Sequence, residues 1–148
     1  MMEARAVEKY LHEHIPLSAA MEVAVLEATP NVVRLSAPLS PNVNHRGTVF
    51  GGSASAVAIL SAWTLLYLRL KGEHVECNLV IQKNAMTYTC PITDRFTASA
   101  SLHDPVVWSR FLNTLGRRNR ARIGVTSILH CNEEKVGEFD GDFVAMGR

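Results

Sequence analysis

The residues best equipped for chemistry stand together in Asn44-His45-Arg46-Gly47-Thr48-Val49-Phe50-Gly51-Gly52-Ser53, just ahead of the apolar run Ala54 to Leu70. A polar, glycine-punctuated loop that feeds a helix aims the unpaired N–H groups of that helix start at whatever lies beside it. Asn44 adds a side-chain amide close by, and the run that follows carries no Asp, Glu, His, Lys or Cys. Such a set can hold an oxyanion but offers neither nucleophile nor base.

Each candidate has a plainer alternative. Asn44 is either a donor to a substrate oxygen or a brace of its own loop. Gly51 and Gly52 permit close approach, of a substrate carbonyl or of a packed strand. His45 could protonate a carbanion and Arg46 could meet a carboxylate or phosphate, or both are exposed loop residues. Ser53 lacks the final glycine and strand context of a nucleophile elbow, so its hydroxyl reads as part of a helix start. His12 and His14 stand two apart, on different sides of a helix, and make a poor metal pair. Arg117-Arg118-Asn119-Arg120-Ala121-Arg122 is the one charge cluster. It is a solvated strand edge, or a docking patch for phosphates and an acidic surface, with Arg118, Arg120 and Arg122 on one face if the strand begins that early.

The elements that must position these residues follow from periodicity. Residues 3–14 read as a short amphipathic helix stopped by Pro16, with Tyr10, Leu11 and His14 near one side. Met21 to Ala28 and Val32 to Ala37 read as strands around Pro30-Asn31, and 38–50 as a loop rich in Pro and Asn. After the apolar helix, Lys71-Gly72 reads as a stop, and His74 to Thr89 as one long strand. Arg95 to Leu102 alternates cleanly. Pro105 to Leu115 reads as a helix capped by Asp104, and Arg120 to Cys131 pairs with Lys135 to Ala145 across Asn132-Glu133-Glu134. Runs of strands with one segregated helix indicate an α+β fold in one domain, residues 1–148. A helix apolar on nearly every side needs an antiparallel sheet to curl around it.

Composition narrows the classes. The 148 residues are 47% hydrophobic and 20% charged, which excludes a disordered chain. A formal charge of +1 argues against bulk nucleic-acid binding. The three cysteines, Cys77, Cys90 and Cys131, form no C-x-x-C pair and read as reduced, mostly buried thiols of a cytosolic protein. The segment beginning Met1-Met2-Glu3-Ala4-Arg5 has no apolar signal core. Ala54 to Leu70 is at the lower limit for a membrane span, about 17 residues, and reads as a core helix instead.

This layout resembles the hotdog fold, a curved antiparallel sheet wrapped around one long central helix. Asn44-x-x-Gly47-x-x-Phe50-Gly51-Gly52 looks like the N-x-x-G-x-x-H-G-G signature of acyl-thioesterases of that superfamily, with Phe50 where the usual histidine stands. The whole stretch to Ser53 and the following helix resemble the YiiD C-terminal thioesterase branch, over Leu11 to Ala145. Members of that branch act as malonyl-acyl-carrier-protein decarboxylases.

The resemblance implies an acyl-thioester enzyme whose substrate rides on the phosphopantetheine of acyl carrier protein or of CoA, with no metal or redox cofactor. It also implies a homodimer or larger assembly, with sheets joined edge to edge and a pocket between subunits, its second wall around Asn78 to Tyr88. The chain departs from the hydrolase pattern twice: at Phe50, and at Ala56-Val57-Ala58-Ile59-Leu60-Ser61, where many hydrolases place Asp or Glu. Those absences favour decarboxylation over hydrolysis. Asn44 and the N–H of Gly52 or Ser53 would stabilise an enolate, with His45, Arg46, Phe50, Gly51 and the arginines around substrate.

Overall fold

The computed structural model describes residues 3–148; Met1 and Met2, at the head of the charged N-terminal segment, lie outside the described residues. Alternating sequence becomes sheet, and the apolar run becomes the helix the sheet encloses. Helix α1 (Ala4–His14) and the short α2 (Pro16–Ala20) lead into β1 (Ala24–Ala28) and β2 (Val32–Ala37). A 3-10 turn at Ser40–Asn42 precedes α3 (Gly51–Gly72). Then follow β3 (Cys77–Tyr88), β4 (Phe96–Ser101), α4 (Pro105–Arg118), β5 (Arg120–Cys131) and β6 (Glu134–Gly147). All pairings are antiparallel, in the order β1-β2-β4-β5-β6-β3.

The sheet wraps α3, which packs against β2, β3, β4, β5 and β6. The alternation of β4 buries Phe96, Ala98 and Ala100 and leaves Thr97, Ser99 and Ser101 half-exposed. Phe96, Phe139 and Phe143 are the largest fully buried side chains, each worth roughly 1.5–3 kcal/mol of burial. Polar links also tie helices to the sheet. The Ser61 and Ser127 hydroxyls share a buried 2.8 Å hydrogen bond, and the Glu8 carboxylate accepts the Val25 N–H at 2.8 Å. α3 is 22 residues long, its most apolar 18-residue window has mean hydropathy 1.4, long and apolar enough to cross a membrane, and 56% of that window is buried in this protein.

Several boundaries differ from the sequence reading, each for a local reason. Pro16 does not simply stop a helix; it opens α2 at the first position, where a missing N–H costs nothing. Met21 belongs to the turn after α2, so the strand begins at Ala24. Gly72 remains inside the last turn of α3, and the left-handed residue beyond it is His74, with φ 57°. The β5–β6 hairpin is tighter than expected. Cys131 pairs with Glu134, so Asn132 and Glu133 alone make the turn, both at positive φ. α4 runs three residues further than Leu115, to Arg118, and left-handed Asn119 caps it, so Arg118 ends a helix and does not share a strand face with Arg120 and Arg122.

Candidate functional site

The site is built from backbone. Val43 and Val49 form an isolated bridge that closes a small loop, and inside it the Asn44 N–H donates to Thr48 O at 2.7 Å. Gly47 turns the loop at φ 80°, a conformation that disfavours any residue with a Cβ. The Val49 N–H donates to Ile92 O and the Phe50 N–H to Asn42 O, both at 2.8 Å. This anchors the loop to the chain on either side and delivers Gly51 as the first residue of α3.

Helix starts leave four N–H groups without intrahelical partners. Here Ser53 and Ala54 both donate to Phe50 O, at 2.9 and 3.1 Å. The N–H groups of Gly51 and Gly52 have no acceptor among the described residues. They form an anion-seeking pair at the positive end of the helix. Of the two backbone donors expected from sequence, the Gly52 N–H is open and the Ser53 N–H is taken. The Phe50 ring lies over Gly52, where a Cβ would clash with it. The Tyr88 hydroxyl donates to Gly51 O at 2.8 Å and its ring flanks Gly51. Close approach of the Phe50 ring is what Gly52 permits, whereas a Cβ at Gly51 would meet the Tyr88 ring at an ordinary 3.4 Å.

Asn44 is half-buried and heavily engaged. Its Oδ1 accepts the N–H groups of Arg46 (2.8 Å) and Thr48 (3.2 Å), and its Nδ2 donates to Thr48 Oγ1 at 2.9 Å. The remaining amide hydrogen reaches only Val49 O, at 3.5 Å. Asn44 therefore braces the loop, and one weak bond is the part of its amide that a substrate oxygen could claim. His45 and Arg46 are exposed at the loop tip. A cleft of ≈ 420 Å³ beside the helix start is lined by Thr48, Val49, Ala54, Tyr88, Cys90 and Ile92, with no carboxylate or histidine.

The arginine cluster is elsewhere. Arg120 pairs with Met146 and Arg122 with Val144, whereas the row holding Tyr88 pairs it with Gly137 and, beyond, Leu129. At about 3.3 Å per residue the cluster lies roughly 25–30 Å along the sheet from the loop of the same chain. Arg120 and Arg122 are exposed on the outer face, opposite buried Ala121 and Ile123. His12 and His14 also go separate ways: His12 Nε2 bonds Val23 O, and His14 stacks on Tyr10 at 4.1 Å.

Three residues were not singled out from sequence. Tyr88 fell only within a segment assigned to the opposite wall, and it lies against the glycine pair of its own chain. Cys90, grouped with the structural thiols, lines the cleft half-buried, its Sγ 4.0 Å from Lys135 O. Asn42, buried to 2% exposure, donates to Met21 O and Pro38 O and accepts Phe50 through its own carbonyl, pinning the loop's root to two distant segments. Among polar loop residues, only the fold distinguishes it from Asn44.

Known proteins agree with this architecture. The family model described as "Putative thioesterase (yiiD_Cterm)" matches residues 4–147. A protein of unknown function from Chlorobaculum tepidum superposes with a TM-score of 0.92 at 24% identity, over 98% of this chain and 94% of that one. A structure described as a "putative thioesterase" from Shewanella oneidensis gives 0.85 at 26% identity, over 97% and 96%. A thioesterase from Haemophilus influenzae gives 0.77 at 11% identity, over 99% and 92%, a likeness of fold alone. The hotdog architecture expected from the sequence is the one observed.

Proposed function

The chain belongs to the YiiD C-terminal thioesterase family, and from that premise we propose that it decarboxylates a malonyl thioester to the acetyl thioester. One observation carries this reading: a pair of open backbone N–H groups, at Gly51 and Gly52, at a helix start beside a cleft whose lining has no carboxylate or histidine. Hydrolysis needs a nucleophile or an activated water, and normally a positioned base. Decarboxylation needs the developing enolate oxygen held. The C–C bond to the carboxylate breaks, CO2 leaves, its electron pair becomes the enolate, and a proton then returns to carbon. Each donor aimed at that oxygen is worth on the order of 10²–10³ in rate. Gly52 and the weakly held Asn44 hydrogen are the donors; Gly51 sits beside them, and His45, at the loop tip, is the candidate proton source.

The natural substrate in this reading is malonyl-acyl carrier protein, with the CoA thioester as the alternative, and the product is an acetyl primer for fatty-acid synthesis in the cytoplasm. The enzyme works as a homodimer and needs no metal or redox cofactor. Arg118, Arg120 and Arg122 carry no ion pair among the described residues, which suits them to an acidic carrier surface or to phosphates.

Hydrolysis of an acyl thioester is the second reading, supported by the family and by the Cys90 thiol in the cleft. Malonyl thioesters labelled at the free carboxyl separate the two. Labelled CO2 with acetyl thioester is expected; labelled malonate with free thiol, abolished by Cys90→Ser, would establish the hydrolase instead.

A further inference from the structure

One peptide sets the aim of the open N–H pair, and that peptide is held by a side chain that lies outside the site. In a planar trans peptide the C=O and the N–H point opposite ways. Phe50 O is turned into the first turn of α3, where it accepts the Ser53 and Ala54 N–H groups, so the Gly51 N–H of the same peptide points out of the helix. The Phe50 side chain does not fix this orientation by burial, since its ring is exposed. Backbone bonds fix it instead. The Val49 N–H is held by Ile92 O, and the Phe50 N–H by the main-chain carbonyl of Asn42, each at 2.8 Å.

What holds that carbonyl is the Asn42 side chain. Its Nδ2 donates to Met21 O at 3.0 Å and to Pro38 O at 2.8 Å, while its main-chain N–H donates to Leu39 O at 2.9 Å. Met21 is the C-cap of α2, and Pro38 follows β2 directly. One buried amide therefore locks the end of α2, the end of β2 and the entry to α3 into a single arrangement. Its Oδ1 has no partner among the described residues. A buried acceptor left unpaired costs stability, so the side chain is placed for its two donor bonds at the expense of its own oxygen. Asn44 is different in kind. All its bonds stay within residues 44–49, and none reaches the peptide that opens α3.

We propose that Asn42 is a positioning residue of the thioester site. It touches no substrate; it aims the Gly51 and Gly52 N–H groups by holding the Phe50 peptide against the ends of α2 and β2. The inference rests on the thioester reading above and adds to it the side chain on which the donors depend. A misplacement of about 1 Å is worth on the order of a hundredfold in rate, so a slight tilt of the Phe50 peptide is enough. By the same route the seating of the N-terminal helices enters the site. Those helices are held to the sheet by Glu8 on the Val25 N–H and His12 on Val23 O.

Asn42→Leu keeps roughly the same volume and the main-chain carbonyl, and removes both donor bonds. With a malonyl thioester, kcat per folded molecule is expected to fall at least about tenfold with KM within about twofold. A residue that only stabilises the fold would lower the urea midpoint and leave kcat unchanged; that result, or a rise in KM alone, overturns the proposal. Should Asn42→Leu not fold, Asn42→Ser is read in the same way, its short side chain being unable to serve both carbonyls. Combining the substitution with Gly52→Ala tests the route. Two changes acting through the same donors do not multiply, so the double variant stays within about threefold of the slower single one. Losses that multiply in full overturn the proposal. The amide resonances of Gly51 and Gly52 supply a readout without turnover: they move in Asn42→Leu while those of β4 stay in place. Glycine resonances that stay put overturn the proposal even where activity falls. A protein that turned over no thioester would refute the function, and the glycine resonances would still decide whether Asn42 aims them.

Discussion

The two ends of α3 are made in opposite ways. At Gly51 and Gly52 the helix begins without a charged side chain, and a loop held by backbone bonds and two asparagines, Asn42 and Asn44, presents bare N–H groups. At the other end, side chains do the work. The Arg69 guanidinium lies 4.5 Å over the Trp108 ring and donates to Pro30 O (2.6 Å) and Leu102 O (2.8 Å), joining three segments. Burial pulls that guanidinium below its usual value, with Glu73 opposing. Exposed backbone donors suit a transient anion, since they need no reorganisation as charge develops. Charged side chains clamped on carbonyls suit permanent structure. Substitutions at the first end should therefore change turnover, and at the second stability.

The largest effect is expected at Asn44. Asn44→Ala should cut turnover of a malonyl thioester at least about a hundredfold with the fold intact by circular dichroism. Asn44→Asp sharpens the point, because it keeps the acceptor for Arg46 and Thr48 and replaces the donor with an anionic oxygen. Near-normal activity in Asp but not Ala would make Asn44 a brace and leave the oxyanion to the glycine pair. Gly52→Ala comes next, at about tenfold or more, because its Cβ would clash with the Phe50 ring. Adding Phe50→Ala should restore much of the loss; if it does not, the ring is not what requires the glycine.

At the far end, Arg69→Met should cost about 1–3 kcal/mol in urea denaturation, leaving two carbonyls without their donor. Turnover per folded molecule should barely change, and a large loss there would break the division between the two ends. Tyr88→Phe is the smallest, about 0.5–1 kcal/mol for one exposed hydrogen bond, with a few-fold change in turnover.

Much of this was legible in the chain. The alternation of Phe96, Ala98 and Ala100 fixed which face of β4 is buried, and Asp104 caps α4 as expected, accepting the Val106 N–H at 2.9 Å. The loop could be found because glycine and asparagine at set spacing have few other uses. Less legible was anything that depends on a bond between distant segments. Nothing local separates Asn42, which pins the loop, from Asn44, which braces it. Arg118, Arg120 and Arg122 look like one row until the left-handed Asn119 divides helix from strand.

By itself the sequence determined the fold class and the loop, because hydrophobic periodicity and backbone permissiveness are local properties written residue by residue. Tertiary structure alone decided which N–H groups stay open, because that depends on Phe50 O having already taken Ser53 and Ala54. It decided too that the arginines stand at the wrong end of the sheet for their own loop. Distance across a sheet is set by register, and register is settled only when every strand has found its neighbour.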